Sequence, residues 1–516
     1  MNGRVFFCNW INLLTVLSLT IGSIAVADEL NALYSIKQID AQSLQLEAPI
    51  LPDISKYDAQ WIPQQVPSIR KGRISTPVMH KEPSLLKFLE NDQMRKWVKK
   101  QSRLPLAIKL ESGRITLPML LKLVDNPTLL SQEENIYTLH VPLVIDTGAT
   151  LIIQGNEVNA LRLSEEGGAF IVNIGDIFFL DTELTSWNHE LQSPSPFSGK
   201  KHFRPFYLAW NNSKSYFSNT DVVSLGYASS KSYGFSLSYN HKLTEAGYPD
   251  VRPIGWLFDS RFIDMYYGFY SYEADDVVIL RNTYIDNIVY GIDPHDRSNR
   301  LIIAYNEAYG TKEKHGIIIS REVNDSWVFN NFSHHNNGSG FMIDRSSVRN
   351  IFAHNLSIEN GDDGFAVYES PDNLLWSNKA LNNKRHGVQI RNSTDIRVYN
   401  NVLADNHKYG VFGHIKVEFP EYRDLELDPF IADVSITVAS TKLLSNHTGA
   451  IAIDAPYEIQ LYDLDLRFPY KQKGTYFRGV LDTYHNVLFD ILYRQRGAVA
   501  VIPITAEKAQ AIEGGI

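Results

Sequence analysis

The sequence predicts an all-β fold, a right-handed parallel β-helix, and three observations predict it. Glycines recur at Gly268, Gly291, Gly316, Gly340, Gly364, Gly387 and Gly410, each followed by an apolar residue, with gaps of 23, 25, 24, 24, 23 and 23 residues. An asparagine keeps the same phase nine or ten positions ahead of most of these glycines: Asn282, Asn306, Asn331, Asn355, Asn378 and Asn401. Between the markers, segments such as IRVYNN, WVFNNF and LIIAYN collect β-branched and aromatic residues, and no capped helical period runs from Gly268 to Gly410. A repeat of about 24 residues is too short for a propeller blade, which needs about 40 or more. Stacked coils of short strands remain. In such a coil the asparagine amides bond along the stack, and glycine fits the bend before a strand.

Taken in order, the 516 residues begin with a segment, 1–27, that reads as a secretory signal: Arg4, an apolar stretch from Ile11 to Ile24, then Ala25, Val26 and Ala27. The only cysteine, Cys8, lies inside it, so a mature chain has no thiol for a disulfide, a metal–thiolate site or nucleophilic catalysis. No later segment is long and apolar enough to cross a bilayer, so no transmembrane segment is expected after signal cleavage. Residues 28–135 form a lead-in and cap. Within them, 28–75 carry many Pro, Gln and Asp and read as extended, while Leu85, Leu86, Phe88, Leu89, Met94, Trp97 and Val98 predict one amphipathic helix closing the open end of the coil. Residues 136–450 are the β-helix, with PLVIDTGATLIIQG and GGAFIVNIGDIFFLDTEL as early coils. The gap widens to 39 between Gly410 and Gly449, which places an insertion near 416–432. Residues 451–516 make a last coil and a helical cap, with Val480, Leu481, Tyr484, Val487, Leu488, Ile491 and Leu492 at helical spacing. N-x-S/T matches at Asn331, Asn337, Asn355 and Asn446 are read as ladder and turn chemistry.

A net charge of −9 argues against nucleic acid as a partner and means that an anionic polymer must be met by local cations. Counting from each glycine, positions +1 and +3 are mostly apolar and face inward. Positions +2 and +4 then face outward, giving Asp293 and His295, Ile318 and Ser320, Met342 and Asp344, Ala366 and Tyr368, Gln389 and Arg391, Phe412 and His414. One face so collects polar side chains along a line that a polymer could occupy. Pro294 interrupts the apolar +3 series, and proline cannot donate to a ladder, so the strand is expected to end there and aim His295 outward. Asp293 and Asp296 flank His295 and are expected to orient its imidazole, and Arg321 falls at +5 in the next coil.

The DPHD segment at 293–296, the arginine in the following coil and the run LRLSEEGGAFIVN at 161–173 resemble the periplasmic mannuronan C5-epimerases of alginate biosynthesis, over most of the chain. The resemblance implies a parallel β-helix in the periplasm, no metal or other cofactor, and polymannuronate (alginate) as substrate. It implies His295 as the base that removes a proton and Arg321 as the group neutralising the substrate carboxylate. Other periplasmic and outer-membrane alginate secretion proteins are implied as partners.

The chemistry also follows from the residues. C5 of a uronic acid lies α to a carboxylate, so its deprotonation spreads charge that a cation must hold, an effect worth on the order of 3 kcal/mol for one well-placed donor. Inversion requires proton return from the other face, from Tyr368, another tyrosine or water. Tyr290, Asp344, Arg345, Tyr368 and Arg391 are further expected contacts along the polymer. A polyuronate lyase is the nearest rival, since it forms the same carbanion and then expels the C4 oxygen; a non-catalytic polysaccharide-binding scaffold is the rival of another class. Asp362 and Asp363 offer a carboxylate pair for a hydrolase or a calcium site, but adjacent strand residues face opposite ways, and the run reads as a turn.

Overall fold

A computed structural model describes residues 34–90, 92–229, 231–417, 423–426, 428–454, 457–466 and 475–504, so the signal assigned to 1–27 lies outside the described residues. Short strands stack in parallel register along three faces of a coil. In the first face, strands such as Tyr290–His295, Ile317–Ser320 and Phe341–Asp344 pair in turn. In the second, Ile302–Ala304, Trp327–Phe329 and Ile351–Ala353 do the same. The third is a thirteen-stranded sheet that includes Phe332–His334 and Leu356–Ile358. The registers carry the sequence period directly: Phe341 sits on Phe365, and Phe365 on Val388.

The inward positions are those expected. Ile292, Ile317, Ile319, Phe341, Ile343, Phe365, Val367, Val388 and Ile390 belong to one buried core, in which Phe341 and Phe365 stack 4.8 Å apart. Five asparagine amides carry the expected ladder, each Nδ2 donating to the Oδ1 one coil on, from Asn282 to Asn306 (3.1 Å), Asn331 (3.0 Å), Asn355 (3.0 Å), Asn378 (3.0 Å) and Asn401 (3.1 Å). A second ladder, through Asn336, Asn360, Asn383, Asn406 and Asn446, has the same chemistry at the next turn.

The N-terminal part departs from expectation. The single helix expected over Leu85 to Val98 is a 3-10 segment, Pro83–Phe88, and a separate helix, Gln93–Gln101. The two form a lateral wall: Leu85, Phe88 and Trp97 pack on Val144, Phe170, Val172, Phe206 and Leu208 of the first face. Helix Leu117–Val124 instead buries Leu117 and Leu120 in the main core beside the first coil. That helix was missed because eight residues are too few to show a period.

Residues 34–75 run mostly extended, interrupted by the helical turns Ala41–Ser43 and Trp61–Gln64, and 28–33 of that expectation lie outside the described residues. Strand Tyr34–Ile39 pairs antiparallel with Ala498–Pro503 of the last coil. The chain then runs back along the second face, with Leu46, Leu51, Ile54, Tyr57, Trp61 and Ile62 on the outward side chains of successive strands, and ends in Arg70–Ser75, which pairs with Ile108–Thr116 of the first coil. At the other end Val480, Leu481, Leu488, Ile491 and Leu492 join the core through short helical turns over 482–494, while Val487 stays exposed.

Candidate active site

The outward row of the first face runs Tyr272, His295, Ser320, Asp344, Tyr368, Arg391 and His414, each paired with the next across adjacent coils. At ~4.8 Å per coil it spans roughly 29 Å. The companion +2 row is covered over most of its length: Asp293, Ile318, Met342, Ala366 and Gln389 are buried, while Phe412 at its end is half-buried. Ile318, Met342 and Ala366 form a small apolar cluster against the rings of Tyr290 and Tyr368. Of the two rows expected to face solvent, the +4 row, apart from buried Ser320, is therefore the one within reach of a ligand.

The strand Tyr290–His295 does not end at Pro294. Pro294 pairs with Ser271 and His295 with Tyr272, and Pro294 is buried at the inward position. Toward the next coil the ladder thins to Ile292 on Ile317 and His295 on Ser320, as expected where one donor is missing. Strand alternation, rather than a break, points His295 outward.

Asp296 follows at the bend with φ 38°, and Arg321, one coil on, has φ 63°. Arg345 and Glu369 repeat this left-handed backbone at the same place in later coils, so the conformation belongs to the turn. Its effect is to throw the +5 side chains sideways toward the row. Asp296 Oδ2 shares a short hydrogen bond with His295 Nδ1, and its Oδ1 lies 3.3 Å from Arg321 Nη1. One carboxylate thus bridges imidazole and guanidinium. Burial would raise its pKa, but the His295 bond and the charges of His295, Arg321 and Lys231 outweigh burial and hold it below the ordinary range. With Nδ1 engaged by the carboxylate, Nε2 carries the free lone pair.

The other expected residues separate. Asp293 does not share the imidazole: its Oδ1 is buried without a hydrogen-bond partner, and burial raises its pKa to about 7. Tyr290 accepts from Lys314 Nζ at 3.0 Å. Asp344 is raised to about 6 by burial. Arg345 is engaged by Asp428 of the insertion, which also accepts from Ser346. Arg391 lies over the Tyr368 ring, 4.0 Å from its centroid, and 3.3 Å from Glu369. Tyr368 donates to Gln389 at 3.0 Å. Asp362 and Asp363 both lie near Arg385; Asp363 is buried, accepts from the His386 backbone N–H at 2.9 Å, and has its other oxygen 3.9 Å from Arg385 with no hydrogen bond.

Two features near His295 were not foreseen. Tyr233, Tyr267, Tyr270 and Tyr290 form a ring cluster, and Tyr270 packs 5.8 Å from the His295 imidazole. Three of these tyrosines, Tyr267, Tyr270 and Tyr290, were legible, since YGFYSY aligns with YGIDPH once Gly268 and Gly291 are superposed. Lys231 reaches the same place from a loop outside the regular coils, where no period marks it.

A solenoid with one accessible row, on which a carboxylate joins an imidazole to a guanidinium, defines a β-helix protein equipped to take a proton beside an anionic group of an elongated ligand. Similarity to known proteins narrows this. The chain is 44% identical over 474 residues to a mannuronan C5-epimerase of Pseudomonas putida, covering 91% of each, and 42% identical to mannuronan C5-epimerase AlgG of Azotobacter vinelandii, covering 91% of this chain and 90% of that one. A crystal structure of the periplasmic alginate epimerase AlgG superposes with TM-score 0.79 at 42% identity, over 82% of this chain and 99% of that one. The chain belongs to the mannuronan C5-epimerase family. Residues 258–418, the regular coils, also match the family described as Periplasmic copper-binding protein (NosD). Among the described residues no three His, Cys, Asp or Glu side chains gather as a metal site. Among them, too, no helix is long and apolar enough to cross a membrane.

Proposed function

We propose that this protein is a mannuronan C5-epimerase of the periplasm, converting β-D-mannuronate to α-L-guluronate residues within polymeric alginate. The observation that carries the reading is the Asp296 bridge between His295 and Arg321. His295 Nε2 takes the C5 proton, general-base work worth about 10²–10⁴ in rate. Arg321, 42% exposed at its side chain, holds the substrate carboxylate as charge spreads onto it. Asp296 keeps the imidazole tautomer and stabilises the imidazolium that forms. Asp293, Asp344, Tyr290, Tyr368, Arg345 and Arg391 line or support the row beneath the polymer, and 136–450 acts as the catalytic solenoid between end segments. Other alginate secretion proteins of the envelope are its proposed partners.

Proton NMR of polymannuronate incubated with the protein in D₂O tests this. Guluronate signals with deuterium at C5, lost in His295→Ala and Arg321→Ala, are expected. Unsaturated chain ends would make the protein a lyase, and an unchanged polymer that still binds would make it a scaffold.

A further inference from the structure

Lys231 is a cation beside the reaction centre that the mechanism above leaves unused. It precedes strand Gly234–Ser238, and its Nζ donates to Tyr270 Oη at 2.8 Å while lying 3.3 Å from the centre of the Tyr272 ring. Both tyrosines belong to the strand directly before that of His295: Tyr270 pairs with Asp293 and Tyr272 with His295. The imidazole packs against the ring of Tyr270, and the amine meets its hydroxyl. Lys231 also lines a cavity of about 470 Å³ with Tyr272, Lys87, Tyr239, His241 and Lys242, so it has an open side next to the outward row that Tyr272 begins. Burial lowers its pKa to about 7; Asp296 and Glu273 oppose the shift, and Lys87 and Arg321 add to it. An amine so placed holds a proton that it can release near neutrality.

We propose that Lys231 is the acid of the epimerisation, returning a proton to C5 after His295 has removed the original one, with Tyr270 as its positioning residue. The proposal rests on the epimerase reading. First the C5–H bond breaks, the proton goes to His295 Nε2, and the electron pair spreads into the carboxylate facing Arg321. Then an N–H bond of the Lys231 ammonium breaks and a new C5–H bond forms on the opposite face, leaving a neutral amine. His295 gives its proton to water and Lys231 takes one back, so nothing is oxidised or reduced.

Two quantities in one experiment separate this role from a structural one: deuterium entering C5 of residues that remain mannuronate, and guluronate formed. Polymannuronate is incubated in D₂O with the mature protein as wild type, Lys231→Met, Lys231→Arg and Tyr270→Phe. In Lys231→Met, His295 still removes the proton and returns a deuteron from the same side, so exchange stays within about tenfold of wild type while guluronate falls at least ~100-fold. Lys231→Arg keeps the charge but releases no proton and leaves inversion low; Tyr270→Phe lowers inversion more than exchange. A wild-type ratio of inversion to exchange in Lys231→Met would overturn the proposal and leave water as the donor. Equal loss of both, or full rescue by arginine, would also overturn it and make Lys231 a binding residue. Failure of the epimerase reading is visible separately, as unsaturated ends or no guluronate from the wild type.

Discussion

At the scale of single residues, the proposed base and cation and their nearness were legible in the sequence, and the one carboxylate that joins them was not. DPHD and an arginine at +5 of the next coil mark His295 and Arg321, because a fixed period turns sequence distance into position. The period says nothing of which neighbouring carboxylate takes the imidazole. Backbone at the bend decides that, swinging Asp296 beside the ring while Asp293, on the same strand face, is roofed over by larger side chains. Asp363 shows the cost of such roofing. Its folded pKa, raised to about 7, exceeds its unfolded value, so the native state binds the extra proton and stability falls as pH rises from about 4 to 7. Asp363→Asn keeps the acceptor for the His386 N–H and removes that charge. Thermal unfolding is expected to show a gain that is about 2 kcal/mol larger at pH 8 than at pH 5. A pH-independent difference would place the group's ionisation elsewhere.

At the scale of elements, the ladder that identified the fold also holds it. Asn331 donates to Asn355 Oδ1 (3.0 Å) and the Ile303 carbonyl (2.8 Å), and accepts from the Asn306 backbone N–H (2.9 Å) and side chain (3.0 Å). Asn331→Ala leaves these buried groups unpaired and should cost about 2–4 kcal/mol in urea unfolding, whereas Asn337→Ala, at an exposed site, should cost under about 0.5 kcal/mol. The insertion near 416–432 was legible as a widened gap. Its attachment was not: Arg423 pairs with both Glu369 and Asp428, and Asp428 with Arg345. Residues outside the period carry no phase, so nothing in their spacing tells which coil they fold back on. The reading of 85–98 as one helix fails for another reason, since its first half is a 3-10 segment, Pro83–Phe88, which lacks the 3.6-residue stripe of the helix Gln93–Gln101 that follows.

For the whole molecule, a stack of near-identical coils would have independent ends, each touching only its neighbour. Here the lead-in joins them, since Tyr34–Ile39 completes the last sheet and Arg70–Ser75 the first. Removing residues up to Asp40 is expected to loosen the C-terminal coil ahead of the rest, with limited proteolysis cutting first within 475–504 while the coils around His295 stay protected. Uniform cleavage along the solenoid would show that the strap adds nothing local. Composition revealed that this segment is extended; its destination depends on a pairing partner more than four hundred residues away. A chain that leaves the cytoplasm N-terminus first therefore delivers Tyr34–Ile39 long before Ala498–Pro503 exists on the same side of the membrane. The earliest strand waits, unpaired, for the latest, and only a complete translocation product can close. Truncated chains keep an open β edge at the tail, a row of unpaired backbone groups on which another chain can add.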